Sequence, residues 1–264
     1  MSMTRGADAL DAVLFDMDGL LVDSEPVWFT VERTVFARLG AQREWTPTDA
    51  SRLVGNALEV SAAEMARCAG RAPTAATIAQ VGRWFVDEMV DRMKEGAPFK
   101  PGALALVDEL GRHGVPTGLV SSSHRRLMDT VLRQLPEGAM ATSVAGDEVT
   151  HTKPHPAPYL RAMDLLGVAA ERTVVLEDSA TGARAGRAAG CTVVVVPDVG
   201  VLPAEHDWYL AESLAMLDVP GLVALLRRDR GEHVEVGGSA RRQDRGKHAD
   251  QGLSLIHISE PTRR

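Results

Sequence analysis

The strongest constraint on how this chain can fold is an alternation: short apolar runs of strand-forming residues, separated by stretches with helical spacing. Ala12-Val13-Leu14-Phe15 is the first such run, and it stops abruptly at Asp16. Similar runs recur at Thr117–Val120, Val144–Ala145, Val174–Leu176 and Val193–Val196. Apolar runs without polar alternation read as strands covered on both faces. Between them, Leu104, Val107 and Leu110 keep helical spacing from Pro101, a favourable first helical residue, until Gly114. Segments 124–135, 157–166 and 180–189 carry helical patterns too. Strands alternating with helices imply βαβ units, and hence an α/β core built on a parallel sheet. In such sheets ligands bind beyond the carboxyl ends of the strands.

One region breaks the alternation. Between Asp23 and about Phe99 no strand is evident. Trp28, Val31, Val35 and Leu39 mark one helix closed by Gly40, and a second runs from about Leu58 to Ala69, closed by Gly70. A third places Ile78, Val81, Phe85 and Met89 on one face. This predicts an all-helical insert over 23–97 after the first strand, with the core in 10–22 and 98–228. Hinges are expected near Leu21–Pro26 and Ala97–Pro101. From about Asp229 to Gln251 the chain is polar, charged and nearly free of large apolar residues, which predicts disorder over 229–264. Residues 253–264 resemble the in-frame translation of a transposon adapter used in preparing sequencing libraries, and are expected to be non-native.

The 264 residues, with 45% hydrophobic and 25% charged, suffice for a core domain carrying a smaller one. A formal net charge of -7 argues against a nucleic-acid-binding surface. It leaves room for an anionic substrate, because a metal and a few local cations invert the field within one cleft. Cys68 and Cys191, the two cysteines, stand far apart in no ligand-like spacing, which fits a reducing compartment and no zinc site. Met1–Asp11 has no long apolar region, so a signal peptide is not expected, and Val193–Val196 is far too short to cross a bilayer. A cytoplasmic location without membrane attachment follows as the default, and nothing requires more than a monomer.

Four polar signals fall at or just beyond strand ends. Asp16-Met17-Asp18-Gly19 places two carboxylates where one can attack phosphorus and the other can protonate a leaving alcohol. Gly19 lets backbone amides approach the transferring oxygens. An isolated Asp-X-Asp is more often a cap or turn. In Val120-Ser121-Ser122-Ser123, Ser121 can hydrogen-bond a phosphoryl oxygen while Ser123 is placed to cap the next helix. Lys153 heads Lys153-Pro154-His155-Pro156 and offers a compact cation in a loop that the two prolines stiffen, and His151 and His155 read as loop residues, not metal ligands. Glu177-Asp178-Ser179 adds a second acidic pair, whose repulsion with the first is costly without a cation; magnesium suits a few carboxylates plus phosphate oxygens. Gly182, Gly186 and Gly190 suggest close helix packing, and no Walker A pattern occurs. The conjunction is what carries weight, since each signal alone has an ordinary structural reading.

Asp16-Met-Asp-Gly-Leu-Leu-Val-Asp-Ser-Glu25, Ser121, Lys153-Pro and Glu177-Asp178-Ser179 together resemble, in order, the four motifs of the haloacid dehalogenase-like superfamily. The resemblance covers about residues 10 to 228 and is closest to the subgroup with a small helical cap. It implies a Rossmann-like three-layer core with a helical cap inserted after the first strand. It further implies Asp16 as nucleophile and Mg2+ ligand, Asp18 as acid and base with its carbonyl on the metal, and Asp178 with Glu177 completing the metal site. Ser121 and Lys153 hold the phosphoryl group, with Gly19 and Ser122 at the substrate. True dehalogenases resemble this chain in fold but lack the second aspartate, so Asp18 points to phosphate chemistry. Arg52-Leu53-Val54-Gly55 partly resembles a cap segment of beta-phosphoglucomutase that grips a distal phosphate, but Asn56-Ala57-Leu58 departs from that pattern. The expected function is a magnesium-dependent phosphatase of a small sugar or polyol phosphate, with a phosphomutase as the alternative.

Overall fold

A computed structural model of the chain describes residues 10–53, 56–198, 202–203 and 206–231. Its centre is a parallel sheet of six strands: β1 (Ala12–Phe15), β2 (Thr117–Val120), β3 (Thr142–Val144), β4 (Thr173–Glu177), β5 (Thr192–Val195) and β6 (Tyr209–Leu210). The spatial order is β3-β2-β1-β4-β5-β6. The chain winds outward in one direction from β1 through β2 and β3, then in the other through β4, β5 and β6. The switch point of this doubly wound sheet lies where β1 pairs with β2 on one side and β4 on the other.

The central strands are mostly apolar because both sheet faces are covered. Val13, Phe15, Leu119, Val174, Leu176 and Val194 pack into one cluster, while Leu14, Val120, Val144, Val175, Val193 and Val195 pack into another. Successive side chains point to opposite faces, so continuous apolar strands demand helices on both. α5 (Ala103–Arg112), α6 (Arg125–Leu132) and α9 (Val219–Asp229) cover the first face with residues such as Leu110, Met128 and Leu226. α7 (Ala157–Leu166) and α8 (Ala180–Ala188) cover the second with Tyr159, Ala162 and Ala185. Leu104, expected on the buried face of α5, is 41% exposed; Ala103, Leu106, Val107 and Leu110 make that face instead.

After β1 come four helices and no strand: α1 (Glu25–Arg38), α2 (Pro47–Ala50), α3 (Leu58–Cys68) and α4 (Ala75–Met93). Gly40 and Gly70 follow α1 and α3 in left-handed conformation. The short α2, which periodicity does not reveal, is set by a capping box in which Thr46 and Asp49 satisfy each other's backbone amides. The two chain crossings between insert and core run side by side: the Asp23 N–H donates to the Pro98 carbonyl and the Lys100 N–H to that of Leu21. Lys100 Nζ also reaches Asp23 at 3.2 Å and Asp198 at 2.6 Å, tying both crossings to the loop after β5.

β6 escaped the sequence reading because two residues carry no periodicity. Asp229, at the start of the stretch expected to be disordered, still ends α9 and takes an ion pair from Arg187 at 2.6 Å. Residues 232–264, including the adapter-like segment, lie outside the described residues, as do Val54 and Gly55. Among the described residues no helix is long and apolar enough to cross a membrane.

Candidate active site

The ends of β1, β2 and β4 converge on a cleft of about 170 Å³, closed on its far side by the insert. Asp16, Asp18, Ser121, Ser122, Lys153 and Asp178 all line it. Sequence positions more than a hundred residues apart meet because they terminate adjacent parallel strands.

Asp16 is buried at the end of β1, with one oxygen committed and one not. Its Oδ1 accepts from Lys153 Nζ at 2.5 Å, while Oδ2 takes no hydrogen bond among the described residues. Lys153 is itself 5% exposed and spends all three ammonium protons, on Asp16, on Glu177 Oε1 at 2.7 Å and on the Val120 carbonyl at 2.9 Å. The ammonium lies over the face of the Tyr159 ring, 5.0 Å from its centroid. Glu177 is fully buried: Oε1 also accepts from Tyr159 OH at 2.6 Å, and Oε2 accepts from the Asp178 N–H and Ser179 Oγ, both at 3.2 Å.

Asp18 stands opposite and accepts four hydrogen bonds. Ser24 Oγ (2.9 Å) and Trp28 Nε1 (3.2 Å) donate to Oδ1; Ser121 Oγ (3.2 Å) and Ser123 Oγ (2.7 Å) donate to Oδ2. Ser123 therefore does not cap α6 as expected. His124 caps it, with Nδ1 accepting from the Arg126 N–H at 3.2 Å. The acidic pair after β4 does not cap α8 either; Ser179 does, accepting from the Gly182 N–H.

Two glycines are required here by close approach. A Cβ on Gly19, whose φ is +81°, would stand 2.4 Å from Asp178 Oδ2. A Cβ on Gly182 would stand 1.7 Å from Glu177 Oε1. The N–H of Gly19, a residue expected at the substrate, donates to the Val22 carbonyl at 2.9 Å, and Gly19 is not among the cleft-lining residues. Arg52 is absent from the lining as well. Its side chain is 56% exposed and faces Asp49 at 3.8 Å.

Electrostatically the site is overloaded with negative charge. Burial, opposed by Lys153 and reinforced by Glu177 and Asp18, pushes Asp16 up to about 8. Burial, then the charges of Asp16 and Glu177, raises Asp178 well above the carboxylate range. Burial works against the Lys153 ammonium, but the two carboxylates it touches more than offset that and raise it. One lysine cannot neutralise three neighbouring acids. Oxygens of Asp16, Glu177 and Asp178 lie within 4.8 Å of one another. A hard divalent cation fits this all-oxygen donor set and relieves the repulsion. Asp16 and Asp178 are its freer ligands, since both Glu177 oxygens already accept from protein donors.

Tyr159, Ser24 and Trp28 carry no local sequence signal for these contacts. Trp28 reads as one more apolar residue on a helix face, and only the return of the insert over the sheet brings its indole N–H to Asp18.

The profile of the haloacid dehalogenase-like hydrolase family matches residues 13–196. Hexitol phosphatase B of Escherichia coli is 30% identical over 70% of this chain and 83% of its own length. Phosphoglycolate phosphatase of Yersinia pestis is 29% identical over 82% of this chain and 96% of its own. Among solved structures, the CbbY protein of Rhodobacter sphaeroides in complex with phosphate superposes with a TM-score of 0.71 at 29% identity, covering 81% of this chain and 99% of that one.

Proposed function

Because this chain belongs to the haloacid dehalogenase-like hydrolase family, we propose that it is a magnesium-dependent phosphatase of a small sugar or polyol phosphate, working through a phosphorylated Asp16. The observation that carries this reading is the asymmetry of Asp16: Oδ1 is anchored by Lys153 while Oδ2 stays open beside the cleft. An anchored carboxylate with one free oxygen is a preoriented nucleophile.

In the first half-reaction Asp16 Oδ2 attacks phosphorus and the ester P–O bond breaks, while Asp18, protonated from solvent as substrate displaces one of its donors, passes that proton to the departing alkoxide. In the second, water attacks the acyl phosphate, its proton passes to Asp18, and the P–O bond to Asp16 breaks to release inorganic phosphate. Ser121 and Lys153 hold the phosphoryl oxygens, with Ser122 beside them. Lys153 does so by exchanging one of its three internal bonds, and the leaving oxygen likewise displaces one of the four donors on Asp18. Mg2+ would be held by Asp16 and Asp178, with Glu177 and the Asp18 carbonyl, and when bound it offsets charge on the transferring phosphoryl group. The helical insert over 23–97 acts as a cap that excludes water and selects the substrate. Relatives named as phosphatases support hydrolysis as the outcome.

The test is phosphate release from a panel of sugar and polyol phosphates, with magnesium and with chelator, for the wild type and Asp16→Asn. Magnesium-dependent release, lost in the variant by on the order of 10⁴-fold or more, is expected. Turnover by a folded Asp16→Asn protein at the wild-type rate would sink the reading.

A further inference from the structure

The insert's wall of the cleft differs in charge from what a phosphate ester with a second anionic group needs. Its ionisable residues are Glu25 and Glu32, seven positions apart on α1 and thus on one face. Beside them stand the neutral hydrogen-bonding groups Asn56 and Ser61 and the rings of Trp28 and Phe85. No lysine or arginine of the insert lines the cleft among the described residues. Lys153, the cation on the opposite wall, is enclosed by Asp16 and Glu177. His124 has both ring nitrogens engaged, Nδ1 by the Arg126 N–H and Nε2 by Asp147 at 3.1 Å.

Glu32 is the group that gives this wall its chemistry. It is 7% exposed, and its Oε2 accepts from Trp45 Nε1 at 2.8 Å, which fixes the carboxyl in place. Its Oε1 takes no hydrogen bond among the described residues. Burial, opposed by the Trp45 bond and aided by the Glu25 charge, pushes its pKa up to about 7. Neutral or ionised, such a carboxyl bonds a hydroxyl group. In its ionised form it repels a phosphate or carboxylate in the same place, where no cation stands to pair that group.

Building on the phosphatase reading, we propose that the cap selects esters whose leaving group is an uncharged, hydroxyl-bearing arm, and that Glu32 is the specificity-determining residue that rejects a second anionic group. The same wall disfavours the bisphosphorylated intermediate on which a sugar phosphomutase depends.

The experiment compares kcat/KM for sorbitol phosphate, a hexose bisphosphate and phosphoglycolate, with p-nitrophenyl phosphate as a reporter of the phosphatase chemistry itself. Sorbitol phosphate is expected to exceed each anionic-arm ester by at least about tenfold. Glu32→Gln, which keeps an acceptor for Trp45, is expected to narrow each ratio at least about threefold, through KM for the anionic esters. The three esters are also titrated calorimetrically into Asp16→Asn and its Glu32→Gln double variant, which reports the preference without turnover. No release from any ester, p-nitrophenyl phosphate included, would overturn the phosphatase reading while the binding order still judged the role of Glu32. Anionic-arm esters bound or turned over as well as sorbitol phosphate would overturn the inference alone, as would unchanged ratios in a folded Glu32→Gln protein.

Discussion

The two walls of the cleft are built on opposite principles. On the sheet side, charged and polar atoms are crowded and nearly all are spent: Lys153 uses three donors, Glu177 accepts four hydrogen bonds and Asp18 another four. On the insert side, polar groups are sparse and set among aromatic and aliphatic side chains. A buried network of this density holds each reacting group in one geometry, because losing any partner leaves a desolvated charge. The sparse wall costs less to alter, which suits a surface that chooses among substrates. The walls meet at Asp18, where Ser24 and Trp28 donate from the insert side and Ser121 and Ser123 from the core.

That meeting point offers the sharpest break of the comparison. Asp18→Asn places an amide NH2 against two of the four donors and removes the transferable proton. Turnover of alkyl phosphates is expected to fall by about 10²–10⁴-fold. The loss should be smaller for p-nitrophenyl phosphate, whose leaving group needs no proton. An equal loss on both esters would mean that Asp18 serves geometry, not proton transfer.

A next, smaller effect concerns charge balance on the sheet side. Asp16 is raised from its ordinary 3.8 to about 8, so the folded, metal-free protein binds this proton more tightly than the unfolded chain does. The stability that proton lends is full below about pH 4 and is lost as pH rises toward about 8. Melting temperature in chelator is therefore expected to fall across that window, and added magnesium to restore more of it at pH 8 than at pH 5.5. A magnesium gain independent of pH would argue against Asp16 as a ligand.

The smallest effect is expected at Arg52. Its exposed guanidinium, 3.8 Å from Asp49, makes a surface pair of the kind worth little. Arg52→Ala should leave kcat/KM within about twofold and stability within about 0.5 kcal/mol. A tenfold rise in KM would place this arginine at the substrate, and would restore to the insert wall the cation it lacks here.

Much of this was legible in sequence, for stated reasons. β1 and β2 coincide with the runs Ala12–Phe15 and Thr117–Val120, because a strand buried on both faces favours apolar side chains. α7 coincides with the pattern over 157–166, and Gly40 and Gly70 end the helices they were expected to end. Asp16, Asp18, Ser121, Lys153, Glu177 and Asp178 were recognisable because each lies at or just past the end of an apolar run or, for Lys153, heads a loop stiffened by prolines. Less legible were β6, too short for any period, and α2, which rests on one capping box. Ser123 looked like a cap because serine before a helix usually is one, yet Asp18 offered a stronger, charged acceptor.

Local pattern along the chain is enough to specify the parallel α/β core, the helical insert and the acids and lysine that meet at the strand ends. Each of these follows from local pattern: apolar runs dictate buried strands, and buried parallel strands bring their carboxyl ends together. Tertiary structure alone decided how those groups are shared. It put Tyr159 and Glu177 around Lys153, used Gly19 and Gly182 to admit Asp178 and Glu177, turned Arg52 away from the cleft and brought Trp28 and Glu32 to its wall. Hydrogen bonds between side chains distant in sequence depend on how the insert packs back over the sheet, and helical periodicity records which face is buried without recording what that face meets.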